Sequence, residues 1–269
     1  MWALIKRELT LYFGDRHRMF WSLFSPLLVL GIYVVFLQHN LTQGWHGQTT
    51  ILNQWLIGGL LATTALSTSL SALGVRVEDL DEGKTADFLL SGVKPVQVVS
   101  SYWISALIVS FVMSGVVLVI NAVYFGITDE TAFAWQNLGD IISLIGLNVF
   151  AAVGFNAVLV ELMPTRNGLQ GLGSAVGSLA GFLVGTYIPI SAAPDFAQLI
   201  MKIFPGFHGA SLLRQALITQ PVSASTSQDL GITIAIQNHL LSNWISCVYM
   251  IGVGVMGVII ALLLSKKRS

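Results

Sequence analysis

Glu78–Pro95, EDLDEGKTADFLLSGVKP, is a strongly charged segment set between two long apolar runs. It carries five of the thirteen acidic residues: Glu78, Asp79, Asp81, Glu82 and Asp87. An ionised side chain at the centre of a bilayer costs upward of about 2.5 kcal/mol. The segment must therefore lie outside lipid, and the runs on either side are expected to cross it. Helical spacing puts Leu80, Phe88 and Leu89 on part of one face, with carboxylates on the other. A short amphipathic helix projecting from a membrane domain suits docking to a soluble partner. The plainer alternative is a solvated loop with an acidic helix cap.

The rest of the chain fits a membrane domain. Of 269 residues, 54% are hydrophobic and only 10% charged, with mean hydropathy +0.76. Soluble domains carry about 25% charged residues. Net charge is zero, so bulk charge gives no reason to expect a nucleic acid or other polyanion as partner. Cys247 is the only cysteine, which excludes an internal disulfide and a multi-cysteine zinc site.

Residues 1–18 alternate charge with bulky apolar groups. Trp2, Leu4, Ile5, Leu9, Tyr12 and Phe13 can form one helical side, with Lys6, Arg7 and Glu8 facing water. That pattern predicts a helix lying in the interface, with Arg16 and Arg18 marking where the chain enters the membrane. No compact basic start or small-residue cleavage site precedes the first apolar run, so the first span is expected to be retained. Six spans are predicted, at 19–37, 53–74, 96–124, 138–162, 168–188 and 240–264, with a charged hairpin at 75–95. In the second, Thr63, Thr64, Ser67 and Ser71 can either allow close helix packing or wet a pathway. In the fifth, Gly173, Gly177, Gly181 and Gly185 recur every fourth residue and form one stripe for backbone-close packing. Asp140 and Glu161 lie near the two ends of the fourth span, where both are expected to reach headgroups. Residues 189–239, broken by Pro194 and Pro205, are too interrupted to span and predict short helices dipping into the outer interface.

Six spans put both termini on one side, and the basic residues say which. That side collects Lys6, Arg7, Arg16, Arg18, Arg76, Lys84, Lys94, Arg166, Lys266, Lys267 and Arg268, leaving only Lys202 and Arg214 opposite. The excess predicts that both termini and the hairpin are cytoplasmic.

The sequence points away from an enzyme. Gly83-Lys84-Thr85 resembles the end of a phosphate-binding loop, but its first glycine would fall at Glu78, whose carboxylate repels phosphate. Gly209-Ala210-Ser211 lacks the closing glycine of a nucleophile turn, because Leu213 stands there. The histidines show no metal-ligand spacing. Without charge buried mid-span or internal repeats, a self-sufficient secondary transporter or channel has little support.

The order of these parts resembles the permease subunits of type-2 ABC exporters, a family that includes bacterial drug-resistance, polysaccharide and teichoic-acid export permeases. Four stretches carry the resemblance: LYFGDRHRMFWSLFSPLL at Leu11–Leu28, the hairpin Glu78–Pro95, GFLVGTYIPIS at Gly181–Ser191, and FPGFHGASLLRQAL at Phe204–Leu217. The N-terminal part is closer to the drug-type members. The resemblance implies a single all-α polytopic permease domain over 1–269. It has six transmembrane helices, an N-terminal amphipathic interface helix, a cytoplasmic coupling helix between spans two and three, and an outer re-entrant helical hairpin before span six. It further implies a multi-pass protein of the bacterial plasma (inner) membrane. Such a permease pairs with a second copy or a paralogue and with a cytosolic ATP-binding cassette subunit, which binds the ATP and magnesium. This chain itself binds no cofactor or metal and has no catalytic residue. It would move an amphipathic or hydrophobic substrate (drug, peptide, lipid or glycan) outward by alternating access.

Carried to this sequence, the resemblance makes Glu78, Asp79, Asp81, Glu82, Lys84, Asp87 and Phe88 the ATPase-coupling residues, supported by Lys6, Arg7, Glu8 and Arg16. Thr63, Thr64, Ser67 and Ser71, with Gly173, Gly177, Gly181 and Gly185, become candidates for pathway or dimer contact. A signalling or immunity protein of the same fold, moving nothing, is the alternative that the sequence leaves open.

Overall fold

A computed structural model describes residues 1–38, 49–129, 133–163, 165–236 and 239–266; Lys267 and Arg268, counted above, fall outside them. Helix α1 (Trp2–Gly14) is followed at once by α2 (Arg16–Ile32), which ends in a π-helical turn at Tyr33–Leu37. Asp15 separates the two helices. Its extended backbone stops α1, and its carboxylate caps α2 by accepting from the Arg18 N–H at 3.1 Å.

The pillar of the bundle is α3 (Thr49–Asp81), which packs against α2 and four later helices: α5 (Pro95–Thr128), α6 (Leu138–Leu162), α7 (Arg166–Leu183) and α9 (Pro205–Leu217). It is buried nearly all round, which places it in the middle of its bundle. Between α3 and α5 lies the short α4 (Lys84–Leu90), set off by Gly83 at φ +76, a left-handed conformation that side chains resist. Leu80 thus ends α3, while Phe88 and Leu89 sit on α4. The single amphipathic face predicted for the three is two helix surfaces, and Phe88 and Leu89 close against the core.

The last part is α8 (Asp195–Ile203), α9, α10 (Ala224–Asp229), a two-stranded antiparallel hairpin of β1 (Ala235–Ile236) with β2 (His239–Leu240), and α11 (Asn243–Lys266). The chain turns back after α7, and α9 enters the bundle between α3, α6 and α11. It is a buried helix; the predicted dip into the interface describes only α8, whose Phe196, Leu199, Ile200 and Ile203 are exposed. At this end Asn53 accepts from the Tyr33 hydroxyl and donates to Asp129, both at 3.0 Å, joining α2, α3 and the end of α5.

Among the described residues five helices are long and apolar enough to cross a membrane: Arg16–Phe36, Thr49–Asp81, Pro95–Thr128, Trp135–Leu162 and Asn243–Ser265. The protein is therefore an all-α polytopic membrane protein. The fifth predicted span, α7, falls outside this set; Arg166, Asn167, Gln170 and its glycines keep it too polar. Helix α11 docks on α6 at backbone contact. A Cβ built on Gly154 would lie 2.6 Å from Gly254 Cα, and one on Gly257 would run into the Gly154 carbonyl. The close small-residue crossing within the chain is here, and not at Gly173 and Gly177, beside which there is open space.

Candidate functional site

One end of the bundle gathers most of the charge. Arg7 of α1 holds Asp79 of α3 in a two-pronged pair, Nη1 and Nη2 donating at 2.7 and 2.8 Å, and the Tyr102 hydroxyl donates to the same carboxylate at 2.6 Å. Arg18 of α2 donates to both oxygens of Glu78 at 2.9 Å. Lys84 pairs with Glu82, and Arg166 with Glu82 and, at 3.4 Å, with Asp81. The Arg7 guanidinium also lies 5.2 Å from the Phe88 ring centre. These contacts tie α1, α2, α4 and the start of α7 to the end of α3.

Four of the five carboxylates in the charged segment are thus turned toward the chain's own cations, and Asp79 is buried. The surface left open by this arrangement is α4 itself, with Asp87 and Leu90 exposed, flanked by exposed Lys6 and Arg16. Glu8 differs from its expected placement, since it faces helix α5 instead of water. It is 4% exposed and accepts from Ser101 Oγ at 2.8 Å through one oxygen, while the other has no partner among the described residues. A helix packed against a neighbour must bury whichever residue falls on the contact line, here between Ile5 and Tyr12.

Burial pushes the Glu8 carboxyl up from 4.5 to about 7. Because the folded value is raised, its contribution is fully present below about pH 4.5 and is lost as pH rises through about 7, up to about 3 kcal/mol of α1 docking. Protection of the α1 amides, taken relative to their intrinsic base-catalysed exchange rate at each pH, should therefore be higher at pH 5 than at pH 8. Glu8→Gln should hold the high protection at both; a Gln variant whose protection falls with pH as in the wild type would place the titration elsewhere.

A groove of about 540 Å³ opens from the charged end between α2, α3 and α7. Its lining brings together Ser22 and Ser25 of α2, Ser67 and Ser71 of α3, and Gly173 and Gly177 of α7, with Trp21, Leu70 and Val176 as apolar wall and Arg18 and Glu78 at the mouth. Of the eight predicted pathway or dimer residues, four meet here. Thr63 and Thr64 do not; they are buried and donate to their own helix, at the Leu60 carbonyl at 3.0 and 2.6 Å. Gly181 lies under the Tyr187 ring and Gly185 against Met201 and Phe207, so the stripe splits into an open half and a packed half.

Three features have weak sequence signals. Glu161 does not reach headgroups; it pairs with Arg76, both almost wholly buried, across α3 and α6. Only their matching depth in two neighbouring helices could have joined them. Arg214, counted as an outer surface charge, is fully buried in α9. The hydroxyl of Ser211 donates to the Ile232 carbonyl at 2.7 Å, which gives that serine a packing role.

An apolar bundle with a charged end and a polar groove leading from it fits a membrane domain of transporter type. Residues 1–218 match the ABC-2 type transporter family, and the chain belongs to that family. It is the permease component of an ABC transporter, a kind of subunit that works with an ATP-binding partner. No curated protein matches the chain significantly.

Proposed function

We propose that this chain is the transmembrane subunit of an ATP-driven exporter in a bacterial inner membrane, with both termini and α4 cytoplasmic. The observation that carries this is the joining of α4 and α1 to the foot of α3, whose Ser67 and Ser71 line the groove. Force applied by a partner at α4 reaches the groove wall through one continuous helix. Asp87 and Leu90, with Lys6 and Arg16, form the docking surface, and Phe88 holds α4 against the core beneath it. Glu78, Asp79, Asp81, Glu82, Lys84, Arg7 and Glu8 hold that surface in place. ATP and magnesium belong to the partner, and this chain supplies no catalytic group. The open half of the glycine stripe, Gly173 and Gly177, faces the second copy or paralogue. Hydroxyls beside an apolar wall suit an amphipathic or hydrophobic substrate.

The test is co-purification in mild detergent, with the ATP-binding subunit co-expressed. An Asp87→Lys/Leu90→Glu variant should lose on the order of tenfold or more of the recovered ATPase while its own melting temperature stays unchanged. A well-folded wild-type protein that recovers no ATPase overturns the exporter assignment.

A further inference from the structure

Arg214 is the most deeply buried cation in the described structure, at 0% exposure, and no described carboxylate pairs with it. Its nitrogens meet backbone carbonyls instead. Nη2 donates to Gly185 at 2.6 Å, just past the end of α7; Nη1 donates to Leu230 and Gly231, both at 3.3 Å, just past α10; Nε donates to Trp55 of α3 at 3.2 Å. The ends of α7 and α10 present the negative poles of their helices, which is where a cation is stabilised. The guanidinium also stacks 5.0 Å from the Trp55 ring centre, and Trp55 Nε1 donates to the Leu230 carbonyl at 2.7 Å.

The cage depends on α3 coming very close. A Cβ on Gly58 would lie 2.8 Å from Arg214 Cγ and 3.0 Å from its backbone nitrogen, and one on Gly59 would lie 3.1 Å from Nη2. Four segments therefore converge on one side chain: α3, the turn after α7, α9, and the turn after α10. The far side of the same α3 carries Asp79 and the charged end. From Trp55 to Asp79 is 24 residues, about 36 Å of unbroken helix at 1.5 Å per residue.

We propose that Arg214 is the positioning residue through which α3 carries the outer hairpin α8–α9, so that this hairpin moves with the charged end as one body when the ATP-binding partner acts. The proposal rests on the exporter function proposed above. Planar, five-donor geometry is what lets one side chain hold three carbonyl-bearing segments at once. A lysine, with a single ammonium head, keeps the charge but cannot span them.

The test uses the complex with its ATP-binding subunit, in a Cys247→Ser background, with spin labels at Ser91→Cys beside α4 and at Phe196→Cys on α8. In the unsubstituted cage the label distance should be the same without nucleotide and with ATP and vanadate trapped. In Arg214→Gln and Arg214→Lys it should change or broaden on trapping by on the order of a helical turn, about 5 Å. A distance that changes in the unsubstituted protein, or stays constant in Arg214→Lys, overturns the proposal. The constant distance would do so even if that variant melts earlier, since losing a staple that only stabilises lowers melting without freeing the hairpin. If Arg214→Gln fails to fold, Arg214→Lys alone decides. If the wild-type protein recruits no ATPase, the exporter assignment fails first and this proposal falls with it; a working complex with a constant distance in the lysine variant refutes only the role of Arg214.

Discussion

Glu161→Ala should destabilise the protein by about 3–5 kcal/mol, because it leaves the buried Arg76 guanidinium without its counter-charge. The side chains are 4% and 1% exposed, so water cannot take over the lost contact cheaply. The Tyr102 ring, 5.9 Å from the Arg76 guanidinium, offers only a weaker attraction. The double replacement Arg76→Met/Glu161→Leu removes both charges together and should recover most of the loss, since a buried pair gains little over well-packed apolar groups. Thermal unfolding in detergent, followed by intrinsic tryptophan fluorescence, compares both variants with the wild type. A single variant as stable as wild type would mean that the guanidinium reaches water or a lipid headgroup once released.

Gly154→Leu should undo the docking of α11 on α6. The built Cβ already lies 2.5 Å from the Gly254 carbonyl oxygen and 2.6 Å from its Cα, and backbone cannot rotate out of the way as a side chain can. Overpacking of this kind costs about 1–3 kcal/mol when neighbours can adjust and more when they cannot. Gly177→Leu is the control, because nothing lies within 4 Å of its Cβ. It should leave the single chain's melting temperature within a degree or two, and any effect should appear in the association of two permease copies. Equal effects of the two substitutions would mean that the α6–α11 crossing is looser than its geometry.

Much of this protein was legible from residue types in order. A charged segment between apolar runs forces the chain in and out of lipid, and that physics needs no partner coordinates. It indicated α2, α3, α5, α6, α11 and the separate helix α1, whereas the break at Gly83 between α3 and α4 appears only in the structure. The family likeness read from the same sequence agrees with the match over residues 1–218. Composition and spacing gave Ser67, Ser71, Gly173 and Gly177 together with Thr63, Thr64, Gly181 and Gly185, and did not separate the four that line the groove from the four that are packed.

What the sequence could not rank was direction. Periodicity says that Glu8 lies on a helix, but whether that helix turns it to water or to Ser101 depends on where α5 stands. The stripe Gly173–Gly185 has one spacing throughout, yet Tyr187 and Phe207 fill one half and leave the other open. Glu78 and Asp79 were legible as charges, but their engagement with Arg18 and Arg7, 60 and 72 residues away, follows only from packing α1 and α2 beside α3. Arg214 is the clearest case. The cost of burying a guanidinium predicts surface for an isolated arginine, and only the convergence of two helix ends and the Trp55 carbonyl on one point reverses it. Lipid solvation picked out the five long apolar helices, α7 excepted from the six predicted spans, because it acts on each segment separately. The pairing of charges and the siting of close contacts waited on the tertiary structure, because they depend on groups far apart in the chain.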